Sequence, residues 1–134
     1  MDKEGNFMRI VHAGLGASSE RNADLFFQEL LGLTKAGPIA LSAEFCMQVF
    51  GIERELHVIN YRAEGIHCEV FIDPSYRATE PTVVHTCLEV DDQVEFLIKC
   101  TEKGLKVSRI PKGNSFVIFI ADFDGNLYEI KAKP

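Results

Sequence analysis

The sequence has no apolar run approaching the ~20 residues that a helix needs to cross a bilayer, so no membrane partner is expected. Its N-terminal M-D-K-E-G-N is charged and lacks an apolar signal core, so we expect a cytoplasmic protein rather than an exported one. A basic excess is missing too: 14 Lys and Arg stand against 20 Asp and Glu, mixed along the chain, for a net charge of −6. That balance argues against nucleic acid, which favours a basic face. A strongly anionic substrate would need a local basic pocket to override it. There is no C-x-x-C pair. Cys46, Cys68, Cys87 and Cys100 stand apart, in apolar runs or on a predicted helix, as reduced and mostly buried thiols do. What is present is an ordinary globular composition, 46% hydrophobic and 25% charged, in a length of 134 residues that suits one domain or two small fused modules.

Hydrophobic periodicity orders the chain. Residues 1–6 read as a frayed start. The alternation from Phe7 to Leu15 predicts a strand with Val11, Ala13 and Leu15 on one face and Ile10, His12 and Gly14 on the other. Ser18 or Ser19 can cap a helix over 20–31, whose stripe is Ala23, Phe26, Phe27, Leu30 and Leu31 and whose end is Gly32. A short strand at 33–36 closes on Gly37-Pro38. Ser42 to Gly51 predicts a short helix, with Phe45, Val49 and Phe50 at helical spacing. Residues 55–61 and 66–72 are strands of a hairpin with its turn at 62–65. Residues 74–81, with Pro74 and Pro81, are the plausible internal linker.

After the linker the pattern restarts. A strand at 82–90 leads to a helix over 93–103, capped by Asp91 or Asp92, with Val94, Leu97 and Ile98 buried and Gly104 ending it. Strands at 106–110 and 115–121 flank a turn at 111–114. The final hairpin, F-I-A-D-F-D-G-N-L-Y-E-I, turns at Asp122, Asp124, Gly125 and Asn126, residue types that bond their own backbone or accept positive φ. Its Glu129 stands between Tyr128 and Ile130, which should face a core. The carboxylate therefore points either at water on an edge strand or into a cavity holding a cation.

The two halves decide between these. I-V-H-A-G-L around His12 precedes a Ser-capped helix, and V-V-H-T-C-L around His85 precedes an Asp-capped one. Each half then ends with a carboxylate in a strand, C-E-V at Glu69 and Y-E-I at Glu129. The longer His-to-Glu spacing of the first half roughly matches its extra helix. If Val11 and Leu15 pack on the first helix, and Val84, Thr86, Leu88 and Val90 on the second, then His12 and His85 face away. Cys68, Val70 and Ile72 read inward, leaving His67, Glu69 and Phe71 on the open face, and Glu129 opposes Tyr128 and Ile130. His12, Glu69, His85 and Glu129 can thus share a helix-free side, and two imidazoles with two carboxylates suit a divalent cation of borderline hardness.

These residues resemble the vicinal oxygen chelate superfamily of glyoxalase I, methylmalonyl-CoA epimerase, extradiol dioxygenases, and the fosfomycin and bleomycin resistance proteins. D-F-D-G-N-L-Y-E-I is similar to its frequent D-P-D-G-N-x-x-E ending, with Phe123 in place of the usual Pro. The resemblance implies a single α+β domain over 1–134. Two βαβββ modules, about 7–73 and 82–133, would be related by a pseudo-twofold axis and form a curved, half-barrel-like mixed sheet with helices outside. It implies metal ligands at His12, Glu69, His85 and Glu129 for a divalent ion (Zn, Ni, Co, Mn or Fe), with Glu129 and Glu69 also catalytic. His67 would support Glu69 or substitute for it.

The activity implied is that of a glyoxalase I-like lyase or isomerase, moving a proton next to a carbonyl through a metal-bound enediolate or enolate of a small molecule with vicinal oxygens. The alternatives are a methylmalonyl-CoA epimerase-like isomerase, an extradiol dioxygenase, a thiol transferase, or a non-catalytic, bleomycin resistance-like binding protein. Arg9, Arg54, Arg62 and Arg109 are candidates for holding an anionic group, and Cys87 is a candidate neighbour of the site. A homodimer is expected, with the ligands of one site drawn from one chain or from both.

Overall fold

The computed structural model describes Gly5 and residues 7–134; the other residues read as a frayed start lie outside it. Module one comprises β1 (Ala13–Ala17), α1 (Glu20–Ala23, running on as π-helical turns over Asp24–Leu30), β2 (Thr34–Leu41), α2 (Ala43–Phe50), β3 (Leu56–Ala63) and β4 (Ile66–Ile72). Module two comprises β5 (Thr86–Val90), α3 (Gln93–Glu102), β6 (Val107–Lys112), β7 (Ser115–Ala121) and β8 (Leu127–Ala132). The strands form two four-stranded mixed sheets, ordered β1-β4-β3-β2 and β5-β8-β7-β6. In each, the first strand runs parallel to the last and all other pairs are antiparallel. The α+β class and the duplicated module are thus as expected, with the strands divided between two open sheets. Among the described residues no helix is long and apolar enough to cross a membrane.

Capping sets the helix starts. The side chains of Ser19, Ser42 and Asp92 accept bonds from the backbone N–H groups of Asn22, Phe45 and Glu95, satisfying donors that a first helical turn leaves free. Gly51 follows α2 in the left-handed conformation at φ 71°, which glycine adopts without a Cβ penalty. Past Ala23 the first helix widens, and the Leu31 N–H bonds the Phe26 carbonyl five residues back. Phe26 then stacks on Tyr128 of the second sheet at 4.7 Å, while Phe27 stacks on Tyr61 of the first at 5.2 Å. One helix therefore joins both sheets into a single core that also takes in Val70, Leu97, Cys100, Ile120 and Ile130.

Several expected boundaries shift, each for a reason outside local pattern. The first strand covers Ala13–Ala17, not 7–15: its pairing begins with Ala13 opposite Cys68, and residues 7–10 fall beyond the start of β4 at Ile66. The strand expected at 82–90 likewise begins at Thr86, opposite Tyr128, because β8 starts at Leu127. Val11 and Val84, expected to pack on helices, are consequently exposed. β2 runs through Gly37-Pro38 instead of closing there. It is an edge strand with a register shift between Ala36 and Ile39, so the missing proline N–H costs no ladder bond. The turns expected at 62–65 and 111–114 shrink to Glu64-Gly65 and Gly113-Asn114. On α3 the buried line is Leu97 and Cys100, whereas Val94 and Ile98 are 69% and 53% exposed.

The segment 74–81 does more than link the modules. The Tyr76 ring lies on Gly16, its hydroxyl donates to Asn126 Oδ1 at 2.6 Å, and the Ala78 N–H bonds the Asp124 carbonyl. A Cβ on Gly16 would overlap that ring, so Gly16→Ala should cost about 1–3 kcal/mol through displacement of Tyr76. Denaturant midpoints should show much less cost in a Tyr76→Ala background. Burial of Cys46, Cys68 and Cys100, with the thiols of Cys68 and Cys100 pushed up to about 11, leaves Cys87 as the exposed cysteine. At pH 8 a thiol-reactive disulfide reagent should modify Cys87 ahead of the other three, which should react only on unfolding.

Candidate metal centre

The last turn positions the end of the chain. Asp122, buried, accepts the backbone N–H groups of Asp124 and Asn126 on Oδ1, and the Asn126 amide and the Tyr128 hydroxyl on Oδ2. Burial pushes its carboxyl up, opposed by those four hydrogen bonds. Asn126 also donates to the Gly16 carbonyl at 2.9 Å, which ties the turn to β1. With Tyr128 held in the core on this network, strand alternation sends Glu129 to the opposite, open face.

On that face each module carries one His–Glu pair of the same build. Gly14 lies opposite Glu69 and Cys87 opposite Glu129, and the histidine stands two residues earlier in both cases. His12 Nε2 is 3.1 Å from Glu69 Oε1, and His85 Nε2 is 3.8 Å from Glu129 Oε1. All four side chains are partly exposed, as an open ligand position requires. His85 Nδ1 donates to the Val83 carbonyl at 2.8 Å, so in the neutral ring Nε2 keeps its lone pair on the Glu129 side. By chemistry alone, two imidazoles and two carboxylates suit a divalent ion. The structure unites the four residues as two pairs on two sheets, not as one cluster. Among the described residues no three His, Cys, Asp or Glu side chains form a metal-holding group.

The neighbours of the pairs differ between modules. His67 packs edge-on to His12 at 5.3 Å and donates from Nε2 to Asn60 Oδ1 at 2.7 Å. Burial, then the Arg62 guanidinium and His12, hold its imidazole below the usual histidine range. His67 thus stands beside His12, its ring held by Asn60. Asn60 escaped the sequence reading, since only the β3–β4 register sets it opposite Glu69. In module two the place of Asn60 is taken by Phe119, against which His85 packs at 5.4 Å. Cys87 pairs with Glu129 in register, and burial, with the nearby carboxylate, raises its thiol.

Of the candidate arginines, Arg54 is engaged with Asp73 and Ser75. Arg9 borders a cleft of about 950 Å³ with His12, His67 and Cys87, where the edge strands β1 and β5 approach. Arg109 borders the groove between α3 and β6.

No family model and no curated protein sequence matches the chain. Solved structures do. A glyoxalase family protein from Enterococcus faecalis aligns at TM-score 0.70 and 19% identity, over 92% of this chain and 97% of its own. Another from Bacillus cereus aligns at TM-score 0.70 and 19% identity, over 98% of both chains. The fosfomycin resistance protein FosX from Listeria monocytogenes, as a variant complexed with Mn(II) and 1S,2S-dihydroxypropylphosphonic acid, aligns at TM-score 0.71 and 15% identity over 96% of this chain and 95% of its own. Glyoxalase family proteins and FosX proteins belong to the vicinal oxygen chelate superfamily, and the chain has that fold.

Proposed function

We propose that the protein is a divalent-metal lyase or isomerase of the glyoxalase I type, whose site is completed by a second copy of the chain. The observation that carries this reading is the pair of equivalent half-sites, His12 with Glu69 and His85 with Glu129, placed at the same register in two sheets. Joining the first pair of one copy to the second pair of another yields two identical four-residue sites per dimer, as closed twofold symmetry requires. The strand segments that run beyond the sheets support such an assembly. Met8 and Ile10 are 93% and 90% exposed and Val83 is 89% exposed, a concentration of apolar surface that a monomer rarely leaves in water.

When bound, the metal would supply Lewis acidity to two adjacent substrate oxygens. The rest falls to the chain. His85, oriented by the Val83 carbonyl, and His12 would hold the ion by their imidazole nitrogens. Glu69 and Glu129 approach the substrate carbon from the sheet, and one of them takes the proton beside the carbonyl and returns it to the neighbouring carbon. A second reading, a FosX-type reaction, draws on the Mn(II)- and phosphonate-bound FosX structure.

Two measurements test the proposal. Glu69→Gln and Glu129→Gln should each lower isomerisation of a methylglyoxal–thiol hemithioacetal by about 10²–10⁴-fold in metal-reconstituted protein. No activity in the parent, together with turnover of an epoxide phosphonate, would favour the FosX-type reaction. For the shared site, His12→Ala and His85→Ala proteins should each lose metal as homodimers. Unfolded and refolded together, they should recover about a quarter of the parent metal content, since half the dimers regain one intact site. No recovery would place the site within one chain.

A further inference from the structure

Helix α2 buries one residue, Cys46, and leaves Phe45, Val49 and Phe50 open. No part of the core accounts for that arrangement. The three side chains roof a cavity of about 440 Å³ over the open face of the first sheet, whose floor is Val58 and Phe71. Phe50 meets Phe71 edge-on at 5.1 Å. His12 and Glu69 line the same cavity and, among the described residues, are its only ionisable lining groups.

Gly14, opposite Glu69, belongs to the same wall. Its backbone is not in the positive-φ region, and a Cβ there would stand 3.6 Å from Phe71, an ordinary contact. Neither conformation nor packing requires glycine at this position; what its missing side chain leaves is room beside the carboxylate. The register partner of Gly16 is Phe71 in the first sheet, whereas the equivalent place in the second holds Lys131. The apolar lining is thus particular to module one.

From these observations we infer that the cavity is a subsite for an uncharged aryl or branched alkyl group of the substrate, next to the oxygens that the His–Glu set would bind. The inference rests on the metal-chelate reading for those oxygens. Ligand pockets commonly enclose about 300–1,000 Å³, and one of about 150 Å³ already takes benzene, so the space suits a ring with its substituents. A phosphonate or carboxylate in it would lose water and meet no Lys or Arg.

Matched hydroxamic acids test this on the full chain loaded with Zn(II), because they present the same two oxygens with different tails. Benzohydroxamic acid should bind about tenfold or more tightly than acetohydroxamic acid, and phosphonoacetohydroxamic acid no better than the latter. Gly14→Leu and Val49→Asp should bring the aryl preference towards one. Gly14→Ala, which fits without displacing a neighbour, should reduce it two- to threefold, so the test survives misfolding of the larger changes. Fluorine NMR of 4-fluorobenzyl alcohol provides a metal-free arm, with broadening expected in the parent and lost in Gly14→Leu. Broadening without hydroxamate binding would leave the apolar subsite standing and remove the chelate reading. An aryl preference near one, tightest binding of the phosphonate, or no broadening together with a dimer that Phe45→Ser converts to monomer would overturn the inference.

Discussion

The Asp122 carboxylate is the point on which the arrangement of both modules depends. It is buried, and burial alone would make its charge costly. Two backbone N–H groups, the Asn126 amide and the Tyr128 hydroxyl offset that cost and in doing so freeze the turn. Asn126 passes the constraint on to Gly16 and Tyr76, and Asp124 passes it to the Asn22 side chain. Among the described residues no buried side-chain polar atom lacks a partner, which is what a network of this kind needs to favour one structure. Its consequence for the site is directional: with Tyr128 fixed inward, Glu129 faces out.

The duplicated build has a second consequence. Each module closes its first strand onto its last, so each places its own histidine beside its own glutamate. The two pairs are related by the repeat and lie on separate sheets, and their equivalence is what the proposed twofold assembly would use. The surroundings have diverged within that symmetry. Asn60, His67 and Phe71 border one pair, whereas Phe119, Leu127 and Lys131 take the corresponding places beside the other. A site drawing on both would be polar and apolar on different sides, and so able to orient an unsymmetrical substrate.

Much of this was legible in the residues themselves, because it depends on short-range chemistry. Ser19, Ser42 and Asp92 cap helices wherever their hydroxyl or carboxylate can reach the next turn. Alternation fixed the open face at His67, Glu69 and Phe71, and the repeat singled out His12 and His85. Asn60, the α2 wall and the docking of Tyr76 gave no comparable signal, since each acquires its role from a residue distant in sequence.

Local pattern tells a strand which faces alternate but not how far its neighbour extends. That is why residues 7–10 and 82–84, apolar and strand-like, continue past the ends of β4 and β8 instead of joining them. Helical periodicity likewise put Val94, Leu97 and Ile98 on the buried line of α3, and packing kept Leu97 but chose Cys100 over Val94 and Ile98. By itself the sequence determined the class of fold and the repeat, and it singled out four His and Glu residues as candidates. Tertiary structure alone decided that these stand as two separate pairs, because pairing distance depends on which sheet each strand completes.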